Sequence, residues 1–249
     1  MRIKITCDVG KGISIPINYN YFLSSVIYSF LELSDPEYAY FLHEDGYLLG
    51  DKHFKLFTFS QLMAKRRSIS GERISFNSPL TWYVSSPQEE FLGRFATSLM
   101  DSGSIQIGSL KLRVIDVYIP ETPRFSGDMQ FRCLSPVTIS TKRELDGRLV
   151  THYCLPDEPE LPELVRQNLI RKFEAIYQHS PYDSSFSMEF DQEYISRHEK
   201  ITRLVKYKDI DIRAILCPFH AKGSKELMFV GYECGFGDKN SAGFGMVEV

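Results

Sequence analysis

Between Pro120 and Gly127 the chain reads Pro-Glu-Thr-Pro-Arg-Phe-Ser-Gly, two prolines and a glycine set between two strand-like segments. Proline has no N–H to give and fixes its own φ, so neither a helix nor a central strand passes through such a stretch. The break places a domain boundary there and leaves two halves, residues 1–122 and 123–249. Each half has the length of an ordinary domain, about 100–150 residues. The chain is 43% hydrophobic and 13% aromatic, enough apolar material for a core in each half.

The first half opens with a strand, Arg2 to Val9. A helix follows to about Ser34, with Asn18 or Asn20 as its cap; Leu23, Ile27, Phe30 and Leu31 share one face of its wheel. Asp35-Pro36 starts a second, short helix, which ends near His43 because Asp45-Gly46 signals a turn. Phe54 to Phe59 reads as a strand. Arg73–Phe76 and Leu80–Ser85 suggest a hairpin around Asn77-Ser78-Pro79, Glu89–Leu99 a helix, and Leu110–Tyr118 a long strand. In the second half, Phe131–Ser140 and a hairpin at Asp146-Gly147 precede a helix from Pro162 to Gln178. Strands are expected at Ser185–Phe190, Thr202–Tyr207, Ile210–Cys217 and Met246–Val249, with a short segment at Glu226–Cys234. The fold class is α+β. The order of elements in the first half suits a ferredoxin-like unit with additions, and the second half repeats that order, giving two tandem ferredoxin-like domains.

The five cysteines are odd in number and widely spaced, and no Cys-x-x-Cys pair occurs. Neither a disulfide framework nor a structural zinc site is expected, and free thiols suit a reducing, cytoplasmic setting. No apolar run approaches the ~18 residues of a membrane span, so no membrane partner is expected. The formal net charge is −3. A nucleic-acid binder usually shows a basic surplus, so any such role here has to rest on a local patch.

One patch exists. From Arg197 to Lys225 eight basic residues, including Arg203 and Lys206, stand against three acidic ones. On a strand, Arg203 and Lys206 point to opposite faces, so the run cannot all touch one ligand. A solvated hairpin is the plain alternative.

The most informative stretch is Gly235-Phe-Gly-Asp-Lys-Asn-Ser-Ala-Gly-Phe-Gly245. Glycines at 235, 237, 243 and 245 let backbone amides come close to a phosphate, and Lys239, Asn240 and Ser241 add donors. The stretch is neither a Walker loop nor a dinucleotide turn, and by itself it reads more readily as a structural turn. It resembles the C-terminal signature of the CRISPR-associated repeat endoribonucleases, the sixth numbered Cas family of the wider repeat-associated RNA-binding (RAMP) superfamily. The N-terminal half is similar to the same family in three places that fall in order: Val26-Ile27-Tyr28, Leu42-His43-Glu44, and Lys55-Leu56-Phe57-Thr58-Phe59-Ser60.

The resemblance implies a catalytic group of Tyr28, His43 and Lys55. Gly235, Gly237, Lys239, Asn240, Ser241, Gly243 and Gly245 of the loop, and Arg203 and Lys206 of the basic run, are the expected RNA-binding residues. The resemblance implies no metal and no cofactor, and cleavage that leaves a 5′-hydroxyl and a 2′,3′-cyclic phosphate. Repeat RNA is the implied partner, other CRISPR-complex subunits are further candidates, and the state is a monomer or a homodimer. The residue types suit the chemistry. A histidine moves protons in either direction near neutral pH, a lysine ammonium holds developing phosphorane charge, and a tyrosine hydroxyl orients the 2′-OH. Each has a plain alternative: a packing tyrosine, a helix-end histidine, a solvated lysine. A short insertion, Tyr47 to Asp51, brings Lys52 and His53 forward as competitors. A repeat-RNA-holding subunit that does not cut is the main alternative function.

Overall fold

The computed structural model describes residues 1–249. The first half runs β1 (Arg2–Asp8), β2 (Ile13–Pro16), α1 (Asn20–Ser34), α2 (Pro36–Glu44), β3 (Tyr47–Leu49), β4 (Lys52–Phe54), β5 (Thr58–Phe59), β6 (Arg67–Ser70), β7 (Arg73–Phe76), β8 (Leu80–Ser85), α3 (Glu89–Ser102), β9 (Ser104–Ile107) and β10 (Leu110–Tyr118). Its main sheet has the order β5-β8-β1-β10-β9, antiparallel throughout. The apolar stripe of α1 (Leu23, Ile27, Phe30, Leu31) is buried with Phe91, Phe95 and Leu99 of α3 and with Ile3, Ile5 and Trp82 of the sheet.

The second half runs β11 (Asp128–Cys133), β12 (Ser140–Leu145), β13 (Arg148–Tyr153), α4 (Leu161–Tyr177), β14 (Phe186–Phe190), α5 (Gln192–Arg197), β15 (Thr202–Tyr207), β16 (Ile210–Ile215), β17 (Phe219–Gly223), α6 (Lys225–Cys234) and β18 (Val247–Glu248). Its sheet reads β14-β17-β11-β18, again antiparallel. A separate core gathers around Phe131, Phe173, Phe219 and Phe236. With hairpins and added segments set aside, both halves run strand, helix, two strands, helix, strand. Both sheets place those four strands in the spatial order second, third, first, fourth. The chain is therefore a mixed α/β protein with two cores. No helix is long and apolar enough to cross a membrane, and all five cysteines are free.

Several local expectations change. Neither Asn18 nor Asn20 caps α1; Tyr19 occupies that position, without a side-chain bond. Both asparagines are committed to the other half of the chain instead: Asn18 Oδ1 accepts from the Lys206 amide at 3.0 Å, and Asn20 Nδ2 donates to Ala242 O at 2.9 Å. Asp35 does cap α2, accepting from the Tyr38 amide. β7 pairs with β2 and β6 and not with β8, so Asn77-Ser78-Pro79 links two sheets rather than closing a hairpin. The Phe54–Phe59 strand is broken into β4 and β5, because Leu56 adopts a left-handed φ of 52°. The Glu226–Cys234 segment is the helix α6, and β2, β3, β6, α5 and β17 answer to no element expected from the sequence.

The halves are pinned together at β1. Arg2 is buried, and its guanidinium donates to Val247 O and Tyr232 O at 2.8 Å each while lying 3.8 Å over the Tyr232 ring. Removing a charged donor strands two buried carbonyls, and each such bond is worth about 1.5–3 kcal/mol. Arg2→Met is expected to lower unfolding free energy by about 2–4 kcal/mol in a urea titration. A change under ~0.5 kcal/mol would show that the pin carries no weight.

Candidate active site

The three family-implied residues converge although they come from separate elements. Tyr28 sits half-buried on α1, and its ring meets the His43 ring edge-on, centroids 5.2 Å apart and 78° between planes. Phe57 supports the tyrosine from another side at 5.9 Å. His43 lies in the last turn of α2 with 63% of its side chain exposed. Lys55 follows β4 and turns back on that helix end, where Nζ donates to His43 O at 2.6 Å and to Glu44 O at 3.3 Å. A helix end leaves its last carbonyls without partners, so an ammonium is held there firmly. This ties Lys55 to the backbone of the residue it would work beside.

The protonation states follow from surroundings. Burial pushes the Tyr28 phenol upward, so at neutral pH it is an O–H donor and not a phenolate. Burial draws Lys55 down from the ordinary lysine value, against the pull of Glu44 and Asp45. His43 Nδ1 lies 2.7 Å from Glu44 Oε1. A carboxylate only accepts, so Nδ1 carries the hydrogen and Nε2 is left free for proton transfer. His53 shows the same logic: its Nδ1 donates to Asp45 O at 2.5 Å, leaving its Nε2 free. The two histidines differ in placement. His43 alone touches Tyr28, whereas His53 lines a cavity between the two halves.

That cavity has a volume of about 490 Å³. One wall is Asp51 to Phe57. The other is the glycine-rich loop from Gly237 to Ser241, with Asn168, Lys172 and Cys234 behind it. Four lysines (Lys52, Lys55, Lys172, Lys239) face two aspartates (Asp51, Asp238). An adjoining depression continues past Lys142, Gln167 and Arg171 and shares Lys52 and Lys239.

The glycines of the loop first serve its own packing. All four have positive φ and are buried. A Cβ at Gly237 would lie 2.2 Å from Thr138 O, at Gly243 2.4 Å from Phe59 Cε2, and at Gly245 2.0 Å from Phe236 O. A Cβ at Gly235 would meet Asn240 Nδ2 at 2.5 Å. Asn240 is buried and clamps the loop from within, donating to Phe244 O at 2.9 Å and Phe236 O at 3.3 Å. Ser24 and Thr58 bond to Ser241 O and Phe244 O. What remains open is the turn Lys239–Ser241, whose three amides have no protein acceptor, with Lys239 exposed and Ser241 half-exposed.

Arg203 and Lys206 do not line the cavity. They sit on the β15–β16 hairpin, where Lys206 pairs with Asp211 on the outer face and Arg203 donates to Lys200 O and Thr202 O. The hairpin tip reaches α1: the Tyr207 ring packs edge-on against Tyr21 at 5.8 Å, and Lys208 Nζ lies 4.9 Å from the Tyr21 ring. Sequence reading missed Asn168 and Lys172, one turn apart on α4. Their signal is polarity on an apolar stripe, since Val165, Leu169 and Phe173 beside them are buried.

Two family models match this chain: CRISPR-associated protein Cas6, N-terminal, over residues 14–118, and CRISPR associated protein Cas6, C-terminal, over residues 119–249. The chain belongs to the Cas6 family. It is 33% identical to the CRISPR-associated endoribonuclease Cas6 1 of Methanocaldococcus jannaschii, over 99% of this chain and 92% of the relative. It is 28% identical to CRISPR-associated endoribonuclease Cas6 of Pyrococcus furiosus, over 97% and 86%. Among solved structures, a CRISPR associated protein Cas6 aligns with a TM-score of 0.81 at 32% identity, covering 100% of this chain and 98% of the other. A Cas6-related protein from Pyrococcus furiosus reaches 0.86 at 27%, with 100% and 97% covered.

Two glycines separate packing from backbone strain. Gly50 has φ 55° with open space around it, whereas Gly245 has φ 79° and a backbone oxygen where Cβ would go. Gly50→Ala is expected to cost only the left-handed conformation, about 1–2 kcal/mol. Gly245→Ala is expected to cost more than about 3 kcal/mol, or to prevent folding, because the loop backbone has to move. Thermal unfolding of the pair checks this.

Proposed function

We propose that this Cas6-family chain is an endoribonuclease that cuts CRISPR precursor RNA within the repeat, without a metal ion. The observation that carries the reading is the convergence of Tyr28, His43 and Lys55, with a ring–ring distance of 5.2 Å and a lysine–backbone bond of 2.6 Å. In the reaction the ribose 2′-oxygen attacks the adjacent phosphorus and the P–O5′ bond breaks. The products are a 2′,3′-cyclic phosphate and a 5′-hydroxyl.

His43 Nε2 takes the 2′-OH proton or delivers one to O5′, and Glu44 holds the ring from its far side. Lys55 has two of its N–H groups on carbonyls and a third to offer to the negative charge that builds on the phosphorane. Tyr28, kept protonated by burial, donates a hydrogen bond to the reacting group. These side chains supply proton transfer and charge stabilisation by themselves. The chain's one group of residues with metal-ligand spacing, His152, Cys154 and Glu158, includes none of them, and Arg143 pairs with its carboxylate.

RNA is held, in this reading, along the cavity and the adjoining depression. The free amides of Lys239, Asn240 and Ser241 and the lysines around them meet phosphates, and Arg203 and Lys206 extend the track over the hairpin. We further read the halves 1–122 and 123–249 as ferredoxin-like units, supported by the shared second-third-first-fourth strand order.

Cleavage of the cognate repeat is expected to proceed in EDTA at the rate seen with magnesium. Loss in EDTA with recovery on adding magnesium would overturn the metal-free reading.

His43→Ala is expected to fold, to bind the repeat, and to cut about 10²–10⁴-fold more slowly in single-turnover assays. His43 is exposed, so truncation opens no core cavity. His53→Ala is expected to cut within a few-fold of the parent. The reverse pattern would move the catalytic histidine into the insertion.

A further inference from the structure

Beneath the glycine-rich loop lies a cation that the catalytic reading does not use. Lys172 projects from α4, is only 3% exposed, and donates to Gly235 O and Gly237 O at 2.7 Å each. No carboxylate neutralises it at contact distance. The nearest acid, Asp238, is engaged elsewhere: Oδ2 accepts from the Ser140 amide at 2.9 Å and the Ser140 hydroxyl at 3.0 Å, and Oδ1 from Asn168 Nδ2 at 3.0 Å. An ammonium has three N–H donors. Two are spent on the loop; the third has no protein acceptor, and the side chain lines the 490 Å³ cavity. Lys239, Asn240 and Ser241, whose amides have no protein acceptor, line the same cavity.

We propose that Lys172 is a positioning residue that also binds phosphate. It fixes the loop through two carbonyls and offers its third N–H, with the loop amides, to one backbone phosphate of the bound RNA. The inference rests on the RNA-cutting reading above and adds to it a defined, proton-dependent phosphate site.

The proton dependence follows from the bonding. A neutral amine keeps two N–H groups, enough for Gly235 O and Gly237 O. Losing the proton therefore leaves the loop in place and replaces the third donor by a lone pair, which repels a phosphate. Burial draws Lys172 down to about 8, with Cys234 and Asp238 pulling the other way. The groups that face it are Cys234 from α6, Asp238 and Lys239 from the loop, and Asp51, Lys52, His53 and Lys55 across the cavity. The sign is definite. In the free protein the ammonium is lost as pH rises through about 8; a bound phosphate favours the charged form, so binding takes up a proton near that pH and weakens above it.

The test uses the full chain and a repeat RNA in which 2′-fluoro groups replace the attacking hydroxyls, so that binding is read without cleavage. Titration calorimetry at pH 8 in two buffers of different ionisation enthalpy is expected to show uptake of about half a proton, and the affinity to fall roughly tenfold from pH 7 to pH 9. Lys172→Met is expected to bind more weakly at pH 7 and to lose that pH dependence. Lys172→Arg, charged throughout, is expected to retain the pH 7 affinity at pH 9. Lys55→Met is run beside them because burial also lowers Lys55. Should the Lys172 variants not fold, the parent's proton uptake decides alone, and its absence overturns the proposal. A parent that binds with the same pH profile as Lys172→Met, or a dependence that disappears only in Lys55→Met, also overturns it while leaving the RNA reading intact. A parent that binds no repeat RNA overturns both.

Discussion

The arrangement depends on how a glycine-rich loop is buried without leaving its carbonyls unsatisfied. The loop from Gly235 to Gly245 crosses the junction of the two halves, too tightly packed for a Cβ at four positions. A buried carbonyl without a partner costs about 1–3 kcal/mol, so each has to be met from a neighbouring element. Asn20 and Ser24 of α1 take Ala242, Gly243 and Ser241; Thr58 takes Phe244; Lys172 of α4 takes Gly235 and Gly237. Those donors come from both halves, so satisfying the loop fixes the halves to one another. The residues left over, Lys239 to Ser241, are the stretch of the loop whose amides have no protein acceptor.

The segment from Lys55 to Phe57 obeys the same junction. Lys55, Leu56 and Phe57 are consecutive, yet Leu56 is buried in the second core and Phe57 in the first. Sending neighbouring side chains into different cores requires a sharp reversal, and Leu56 takes φ 52° to make it. That conformation costs about 1–2 kcal/mol, and burying a leucine side chain is worth about 1.5–3 kcal/mol, so the strain is sustained by packing. Its consequence is chemical. The reversal aims Lys55 back at the end of α2, where the free carbonyls of His43 and Glu44 receive it.

What the sequence disclosed follows from what repeats locally. The stripe on α1, the Asp35-Pro36 start of α2, the Asp146-Gly147 hairpin and Thr202–Tyr207 all rest on short-range periodicity or turn chemistry, and all stand. The caps of α1 were misassigned because Asn18 and Asn20 answer to residues about 190 and 220 positions away. The break at Leu56 was invisible because an apolar run such as Lys55-Leu56-Phe57-Thr58-Phe59 carries no sign that its side chains serve two cores. The glycine loop was legible as a motif but not as a packing device: its glycines are forced by Thr138 O, Phe59 and Phe236 O, contacts that exist only once both halves are folded.

Charge shows why composition pointed away from a polyanion. The formal net charge is −3, and a long-range field from such a chain does not draw RNA in. At the salt of a cell, however, charges further apart than about 8 Å scarcely sense each other. What a phosphate meets is therefore the local arrangement: four lysines against two aspartates around one cavity, with one of those aspartates already bonded to Ser140 and Asn168. Unpartnered amides add donors that carry no formal charge and leave no trace in a count of lysines and arginines. A binding face of this kind is assembled from backbone as much as from side chains. That is why a neutral-looking sequence and a junction rich in donors for a phosphate are compatible in one molecule.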